Sequence, residues 1–200
     1  CFDFVSLTPI HVDRILNDSP DFFNYIGKCL IGSSPVSYEL EKRIYESNTT
    51  ALFYESYGMT ETLSHIAIRD ISKKALVFTA LSGYNLSLTE DNCLVISNSD
   101  VFLDKVVTND IVRLDSETRF TYLGRKDNVV NSSGYKICPE SIESEWSQFL
   151  PFDFILAGEP EDTLGQQLIM VVKKTNLSKS EIVNILKAKN IDSKLMPKKI

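Results

Sequence analysis

Hydrophobic residues recur at helical and at strand spacing in alternating stretches of the first third of the chain. The pattern predicts a helix over 9–17, a strand over 25–31, a second helix containing Leu40 and Ile44, and a strand over 52–54. This strand–loop–helix–strand order favours parallel pairing, because parallel strands need a crossover between them. The loops would then gather at the carboxyl ends of the strands, where open α/β sheets bind ligands.

Between residues 75 and 122 the pattern changes to short β-rich runs separated by Gly, Asn, Asp and Ser turns. The runs at 75–79, 93–97 and 120–123 predict a small, largely antiparallel β subdomain.

After Gly124 a polar stretch leads into an α+β pattern. A helix is expected over 141–150, and the capping box formed by Ser178 and Glu181 starts the last helix. Strands are expected over 152–157 and 168–173. The fold class is therefore α/β followed by a small α+β domain, with the boundary near 124–127.

Composition narrows the classes of function. The chain has 200 residues, 43% of them hydrophobic, and a formal net charge of −6. That balance does not favour nucleic acid as a partner, because proteins that bind it usually carry a basic patch or stripe. The apolar runs, such as 167–172, are too short to cross a bilayer, and residues 1–4 do not resemble a signal peptide. A cytoplasmic protein is expected.

The two ends suggest a piece of a longer protein. The first residue is not Met, and Phe2, Phe4, Val5 and Leu7 have the character of core residues, so the chain is expected to begin within a domain. Residues 196–200 run into what resembles a new strand.

The four cysteines are scattered, without a C-x-x-C pair or a nearby histidine. They are Cys1, Cys29, Cys93 and Cys138. Reduced thiols that pack as small apolar groups are expected rather than a zinc site.

Residues 54–62 (YESYGMTET) carry the sharpest chemical signal. Gly58 lets the backbone approach a ligand, and the hydroxyl of Thr60 can donate to a phosphate oxygen. The carboxylate of Glu61 can hold the Mg²⁺ that nucleotide phosphates bring with them, and Tyr57 can stack on a base. On these residues alone, a nucleotide site and an ordinary strand-to-loop turn both stay open.

Four stretches, in the right order, resemble motifs of the adenylate-forming superfamily, which includes acyl-CoA synthetases, luciferases and amino-acid adenylation domains. Residues 57–61 resemble its Y-G-x-T-E motif, and residues 32–35 resemble its G-G-[AS]-P turn. Residues 108–110 resemble its T-G-D motif. Residues 124–143 resemble the long signature that begins G-R-x-D and contains P-x-x-[IV]-E, so the match covers nearly the whole chain.

The resemblance implies an ATP-dependent, AMP-forming acid–CoA ligase. Its ligands would be ATP or AMP, Mg²⁺, CoA as co-substrate and a small carboxylic acid, and an oligomer is possible. The implied domains are the C-terminal portion of an AMP-binding large domain at 1–124, a hinge at 125–127 and an incomplete small domain at 128–200.

The resemblance also implies roles for single residues. Thr60 and Glu61 would be catalytic, with Glu61 holding Mg²⁺. Nucleotide binding would fall to Gly32, Ser33, Ser34, Tyr57, Gly58, Met59, Thr60, Asp110 and Arg125. Asp127 would be the hinge about which the small domain swings, with a solvent-exposed turn aspartate as the alternative. Gly134 would let the pantetheine arm of CoA pass close to the backbone.

Within the superfamily, residues 5–9 and 57–69 look like o-succinylbenzoate–CoA ligases of menaquinone biosynthesis. The likeness implies that Ser6, Thr8 and His65 lie near the acyl group, although a packed or capping His65 is equally open.

The chain departs from the family pattern in several places. The family's Ser/Thr/Gly-rich phosphate loop and its catalytic lysine segment do not occur in this sequence, which predicts a fragment inactive alone. Asn109 replaces the usual Gly, and Ser33–Ser34 replaces Gly-Ala. The alternatives are another acyl- or aryl-CoA ligase, a non-catalytic AMP-binding fragment, and a structural or interaction module.

Overall fold

The computed structural model describes residues 2–101, 104–132, 134–161, 165–173 and 175–200, and its residues fall into two compact units. The first unit comprises Cys1–Thr108 and Val112–Tyr122, and the second comprises Asn109–Ile111 and Leu123–Ile200. The sequence places the boundary near 124–127 but gives no sign that 109–111 group with the later residues. Within the described ranges, no helix is both long enough and apolar enough to cross a membrane.

Nine strands form one hydrogen-bonded sheet. They are β1 (Phe2–Leu7), β2 (Ile26–Ile31), β3 (Leu52–Gly58), β4 (His65–Asp70), β5 (Val77–Ala80), β6 (Asn85–Leu88), β7 (Cys93–Ser97), β8 (Val106–Ser116) and β9 (Arg119–Arg125). Their order is β1-β2-β3-β4-β5-β9-β8-β7-β6. The parallel pairing predicted for the first three strands is confirmed.

The later strands extend this sheet, and they form the largely antiparallel part that the sequence predicts as a small β subdomain. Their antiparallel pairing is as predicted: β4 pairs with β5, β5 with β9, and β6 with β7. A second apolar cluster, which contains Ile66, Phe78, Leu94 and Phe120, lies under this part of the sheet.

Two helices cover one face of the parallel strands. They are α1 (Pro9–Asp18) and α2 (Tyr38–Glu46), and they bury Val12, Leu40 and Ile44 against β1–β3. Pro9 stands in the first turn of α1, where its missing N–H is not needed. The Ser37 hydroxyl caps α2 by accepting from the Leu40 N–H at 3.2 Å.

The expectation that the first residues are core is wrong for Phe2 and Phe4, whose side chains are 66% and 57% exposed. Val5 and Leu7 do pack into the helix-covered cluster. Side chains alternate across a strand, so Phe4 points to the face that α1 and α2 do not cover. Among the described strands, β1 lies at the edge of the sheet and has a neighbour on one side only.

The second unit is a small α+β layer. A sheet of β10 (Val130–Ser132), β11 (Tyr135–Ile137), β12 (Phe154–Glu161) and β13 (Gly165–Val172) has the order β11-β10-β13-β12. Helices α3 (Pro139–Trp146) and α4 (Lys179–Ala188) pack on it around Trp146, Leu168 and Leu186.

Local signals in this unit were partly correct. The capping box is confirmed, since Ser178 Oγ accepts from the Glu181 N–H and the Glu181 carboxylate accepts from the Ser178 N–H at 2.8 Å. The helix expected over 141–150 instead begins at Pro139 and ends at Trp146. Phe149 lies beyond it but still packs into the same core. Near the last residue, the Lys198 N–H donates to the Leu168 carbonyl at 2.8 Å in a parallel bridge.

Candidate functional site

The carboxyl ends of the three parallel strands bring most of the predicted site of the first unit to one sheet edge. Thr8 follows β1, residues 32–35 follow β2, and Thr60 follows β3. His65 reaches the same edge because β4 runs antiparallel to β3 and pairs its first residue with Gly58. This is the edge at which open α/β sheets bind ligands.

The turn after β2 is held close to β3. The Gly32 N–H donates to the Leu7 carbonyl at 3.1 Å, and a Cβ on Gly32 would lie 2.6 Å from Ser56 Oγ. Ser33 has a φ of 80°, a conformation that favours glycine, where the related motif has its second Gly. The exposed Ser33 and Ser34 side chains therefore stand on a constrained turn that lies close to β3.

Residues 57–62 form a strand end and a single 3₁₀ turn, Thr60–Thr62. Gly58 is needed because a Cβ would lie 2.5 Å from His65 Cα, so the close approach is to the chain's own backbone. The buried Thr62 hydroxyl accepts from the Met59 N–H at 3.0 Å and lies within 2.9 Å of two carbonyl oxygens. Thr60 and Glu61 are exposed on this anchored turn.

Tyr57 packs into an aromatic cluster of the first unit. Its ring centroid lies 5.0 Å from that of Phe120 in an edge-on arrangement and 5.8 Å from that of Phe78. The ring is half-buried, and Met59 packs against the same cluster. These contacts fix the orientation of the Tyr57 ring. Stacking of this ring on a base stays a prediction.

The predicted acyl-group residues share the sheet edge but belong to different strands of it. Two strands separate β1, which carries Ser6, from β4, which carries His65. Thr8 Oγ1 lies 3.0 Å from His11 Nδ1, and Ser64 Oγ lies 3.2 Å from His65 Nδ1. Thr8 and His65 thus each have a hydrogen-bonding neighbour close by in the chain, and a shared pocket stays a prediction.

The second unit holds the residues predicted for the ribose and the hinge, and it brings them together. Arg125 Nη1 lies 3.5 Å from Asp110 Oδ1, and Arg125 Nη2 donates to Asp127 Oδ2 at 3.0 Å. Asn109 Nδ2 approaches the same Asp127 oxygen at 3.5 Å. Asp110 is buried, whereas Arg125 and Asp127 are exposed. We call Asp110, Arg125 and Asp127 the exposed ion cluster.

Glu140, at the start of α3, braces the backbone of this cluster. Its Oε1 accepts from the side-chain Nδ2 of Asn128 at 2.5 Å and from the backbone N–H of Arg125 at 3.4 Å. Gly124 has a φ of 145°, and a Cβ there would lie 2.4 Å from Glu140 Oε2. Gly134, predicted to lie near CoA, stands at the β10–β11 turn with a φ of 80° and open space where a Cβ would be.

Comparison with known proteins gives distant but consistent likenesses. No family model matches the chain. A human mitochondrial protein, acyl-coenzyme A synthetase ACSM5, is 23% identical over 154 residues, which is 61% of this chain and 26% of that protein.

Two solved structures extend the likeness to the whole fold. The acyl-CoA synthetase (AMP-forming)/AMP-acid ligase II-like protein of Dyadobacter fermentans is 29% identical with a TM-score of 0.60, covering 99% of this chain and 59% of that one. The o-succinylbenzoate coenzyme A synthetase (MenE) of Bacillus subtilis, in complex with ATP and magnesium, has a TM-score of 0.78 at 19% identity. That match covers 98% of this chain and 47% of the other.

These likenesses place the chain in the AMP-forming acyl-CoA synthetase superfamily. The chain spans about half of each of the two solved structures and a quarter of the human synthetase. The mixed α/β fold expected from the sequence is thereby confirmed.

The superfamily's magnesium ion would find only one protein ligand among the predicted residues. Among the described residues, no three His, Cys, Asp or Glu side chains are grouped so that they could hold a metal ion. Mg²⁺ is commonly held by one or two carboxylates together with substrate phosphates and water. The exposed Glu61 therefore fits a magnesium ion that arrives with the nucleotide.

Sequence reasoning missed a second charged cluster, which lies inside the first unit of this synthetase fold. Arg69 on β4 faces Glu55 on β3, its direct cross-strand partner, and Arg69 Nε donates to Glu55 Oε2. Arg69 Nη2 donates to Glu41 of α2 and Nη1 donates to the Ala75 carbonyl at 3.2 Å. We call Glu41, Glu55 and Arg69 the buried ion cluster.

The signal for this cluster was present in the strand patterns. Glu55 and Arg69 occupy inward positions of β3 and β4, where an apolar side chain is expected. Burial raises the pKa of Glu55, and the charge of Arg69 opposes that rise. Burial also works against the charge of Arg69, but Glu55 and Glu41 outweigh it and raise its pKa.

The described cysteines behave as packed apolar groups. Cys29, Cys93 and Cys138 are free thiols, and the first two are buried. Burial raises the pKa of Cys29 to about 12, so its thiolate is disfavoured at neutral pH.

Proposed function

We propose that the chain is part of an AMP-forming acid–CoA ligase, with o-succinylbenzoate as the acid and menaquinone biosynthesis in the cytoplasm as the setting. Residues 1–124 would belong to its AMP-binding domain, and residues 128–200 to a small domain that turns about a hinge at 125–127. The acid is supported by the resemblance of residues 5–9 and 57–69 to such ligases. A solved o-succinylbenzoate coenzyme A synthetase has the same fold.

The observation that carries the proposal is the exposed ion cluster. Asp110 and Arg125 come from two separate segments, yet their charged groups lie 3.5 Å apart. A carboxylate can accept from two neighbouring ribose hydroxyls, and a guanidinium can donate to sugar and phosphate oxygens. The pair therefore offers complementary groups to a nucleotide, at the positions where the motif resemblance implies them.

The reaction would proceed in two steps. A carboxylate oxygen of the acid attacks the α-phosphorus of ATP, the bond to the β-phosphate oxygen breaks, and pyrophosphate leaves. The thiol of CoA then loses its proton and attacks the activated carbonyl, and AMP leaves with the bonding electrons. Two half-reactions need different groups around one intermediate, which a hinge allows.

In the first step, the Thr60 hydroxyl would donate to a phosphate oxygen while Glu61 holds Mg²⁺. The ion, when bound, stabilises negative charge on the phosphates. The Gly32–Ser34 turn and Tyr57 would border the adenine, and Gly134 would border the pantetheine arm. Ser6, Thr8 and His65 would lie on the acyl side.

Calorimetric binding of AMP and of a non-hydrolysable o-succinylbenzoyl-adenylate analogue to this chain tests the proposal. The Asp110→Ala variant should weaken both at least about tenfold, or roughly 1.4 kcal/mol. Asp115→Ala, on the same strand β8, is the matched control and should change neither by more than about twofold. Equal affinities in all three proteins would contradict the nucleotide site.

The acid is tested separately by varying the acyl group of the analogue. The o-succinylbenzoyl analogue should bind at least about tenfold more tightly than benzoyl and hexanoyl analogues. His65→Ala should reduce this preference and leave the affinity for AMP itself unchanged. A better fit of another acyl group would favour a different acid–CoA ligase. If the chain binds AMP and no acyl group increases the affinity, the alternative of a non-catalytic AMP-binding fragment would be favoured.

A further inference from the structure

The buried ion cluster links the two loops that the proposed function assigns to the nucleotide. Glu55 lies on β3, two residues before Tyr57, and its Oε1 accepts from the Val36 N–H at 2.9 Å. Val36 directly follows the Gly32–Pro35 turn. One carboxylate therefore contacts the backbone after the turn with one oxygen and Arg69 with the other.

Arg69 continues the link toward the second loop. Its guanidinium carbon lies 5.6 Å from the centre of the Phe78 ring, and the Phe78 ring centroid lies 5.8 Å from that of Tyr57. Tyr57 is the first residue of the Tyr57–Thr62 loop. The charged groups of the cluster thus lie between the turn after β2 and the aromatic cluster under the loop after β3.

The cluster is more costly than an apolar core at the same place. Glu55 and Arg69 are 5% and 8% exposed, and removing two charges from water costs several kcal/mol per ion before pairing offsets it. Replacing such a group by well-packed apolar side chains is often neutral or stabilising. Apolar side chains would lack the hydrogen bond from the Val36 N–H and the fixed directions of the guanidinium N–H groups.

We propose that Glu55 and Arg69 are positioning residues that set the spacing between the Gly32–Pro35 turn and the Tyr57–Thr62 loop. The proposal rests on the proposed function only in naming the nucleotide as the ligand between these loops. The structural part of the proposal is that Glu55 holds the turn to β3 and β4. It concerns residues of the first unit only.

Two isosteric substitutions separate positioning from stability. In Glu55→Gln a single side-chain oxygen remains, so it can accept from the Val36 N–H or from Arg69 Nε but not pair with both as before. Glu41→Gln is the matched control, because the Glu41 side chain pairs with the same guanidinium and, among the described residues, makes no hydrogen bond to the turn. Each protein is studied at a denaturant concentration that gives the same fraction folded.

The first measurement is amide hydrogen exchange, which needs no ligand. In Glu55→Gln the Val36 amide and the amides of 32–34 should exchange at least about tenfold faster relative to core amides such as Phe53. In Glu41→Gln the ratio should change by less than about twofold. Equal protection in both variants and the parent chain would overturn the positioning role.

The second measurement is the affinity for AMP. Glu55→Gln should bind about tenfold more weakly than Glu41→Gln at the same folded fraction. If both variants lose affinity only as their stability falls, the cluster is merely structural and the proposal is wrong. If the parent chain binds no AMP, the proposed function fails for this chain, and the exchange ratio alone decides the positioning role.

A double variant covers the case in which Glu55→Gln does not fold. Glu55→Gln combined with Arg69→Met removes both buried charges together, which is tolerated better than removing one. A folded double variant should keep Val36 protected, because the amide oxygen can still accept, yet bind AMP about tenfold more weakly. Parent-like AMP affinity in that protein would overturn the role of Arg69.

Discussion

Each unit of the molecule contains one arginine between two carboxylates, and the two clusters differ mainly in their exposure to water. In the buried ion cluster the Arg69 and Glu55 side chains are 9% and 6% exposed. In the exposed ion cluster the side chains of Arg125 and Asp127 are 47% and 59% exposed, and only Asp110 is buried, at 8%. The charged groups are of the same kind, but their exposure to water differs, so we expect the two clusters to have different functions.

Exposure decides whether a cluster can change partners. An arginine in water can exchange a carboxylate for a phosphate or a hydroxyl at little cost, because exposed pairs contribute only about 0–1 kcal/mol. When a buried arginine leaves its partner, an uncompensated charge stays buried. The exposed ion cluster is therefore suited to binding a ligand, and the buried one to holding two loops in place.

The sharpest way to break this comparison is to remove each arginine in turn. Arg69→Met should lower the free energy of unfolding by about 3–5 kcal/mol, because Glu55 would stay buried without its cation. Arg125→Met should lower it by less than Arg69→Met does, because Arg125 is itself 47% exposed and only Asp110, 3.5 Å away, is buried beside it. Urea denaturation at pH 7 measures both. Similar losses for the two variants would show that burial does not separate the clusters.

The sequence predicted the single helices and strands better than it predicted how the strands pair. Helices α1 and α4 carry local signals, a proline in the first turn and a capping box, and both lie where those signals place them. The joining of all nine strands in one sheet was not predicted, because the antiparallel pairing of β5 with β9 depends on contacts between distant residues that no local pattern encodes.

The candidate site shows the same division. Short motifs indicated Asp110, Arg125 and Asp127 singly, and the fold brings them together. The Glu55–Arg69 pair had no motif, and its only signal was a charge at an inward strand position. Recognising it required the cross-strand register, which hairpin geometry sets and the alternation pattern alone does not.

A carboxylate outside the two clusters, Glu143, tests the effect of burial apart from that of ion pairing. Glu143 in α3 is half-buried and accepts from the Leu156 N–H at 2.5 Å, and burial raises its pKa. With a raised pKa the folded chain binds the proton more tightly than the unfolded chain does. This contribution to stability is therefore full below the unfolded pKa of 4.5 and is lost as the pH rises through the higher folded value.

Glu143→Gln should remove this loss, since an amide oxygen can still accept from Leu156 and does not titrate. The variant should show a flatter decline of stability from about pH 4 to 7 than the parent chain, by urea denaturation at several pH values. An unchanged slope of stability against pH would mean that solvent, and not burial, determines the pKa of this carboxylate.

The turn beside the buried ion cluster carries strain that can be relieved. Ser33 has a φ of 80°, which costs a non-glycine residue about 1–3 kcal/mol, while glycine loses about 0.5–1 kcal/mol more chain entropy on folding. Ser33→Gly should therefore raise the free energy of unfolding by up to about 1 kcal/mol. Ser34→Gly, at a φ that is not positive, should be neutral or destabilising. Stabilisation by both would argue against strain at Ser33.

The smallest effect tests the comparison most directly, because salt screens exposed charges more than buried ones. At 0.1 M ionic strength the screening length is about 10 Å, and it falls to about 3 Å at 1 M. The loss of stability in Arg125→Met should therefore shrink by a few tenths of a kcal/mol when NaCl is raised from about 0.05 to 1 M. The loss in Arg69→Met should stay constant, since its partners lie inside the first unit, away from the ions. A salt-dependent loss at Arg69 would mean that water and ions reach the buried ion cluster, and the distinction between the two clusters would then be one of degree.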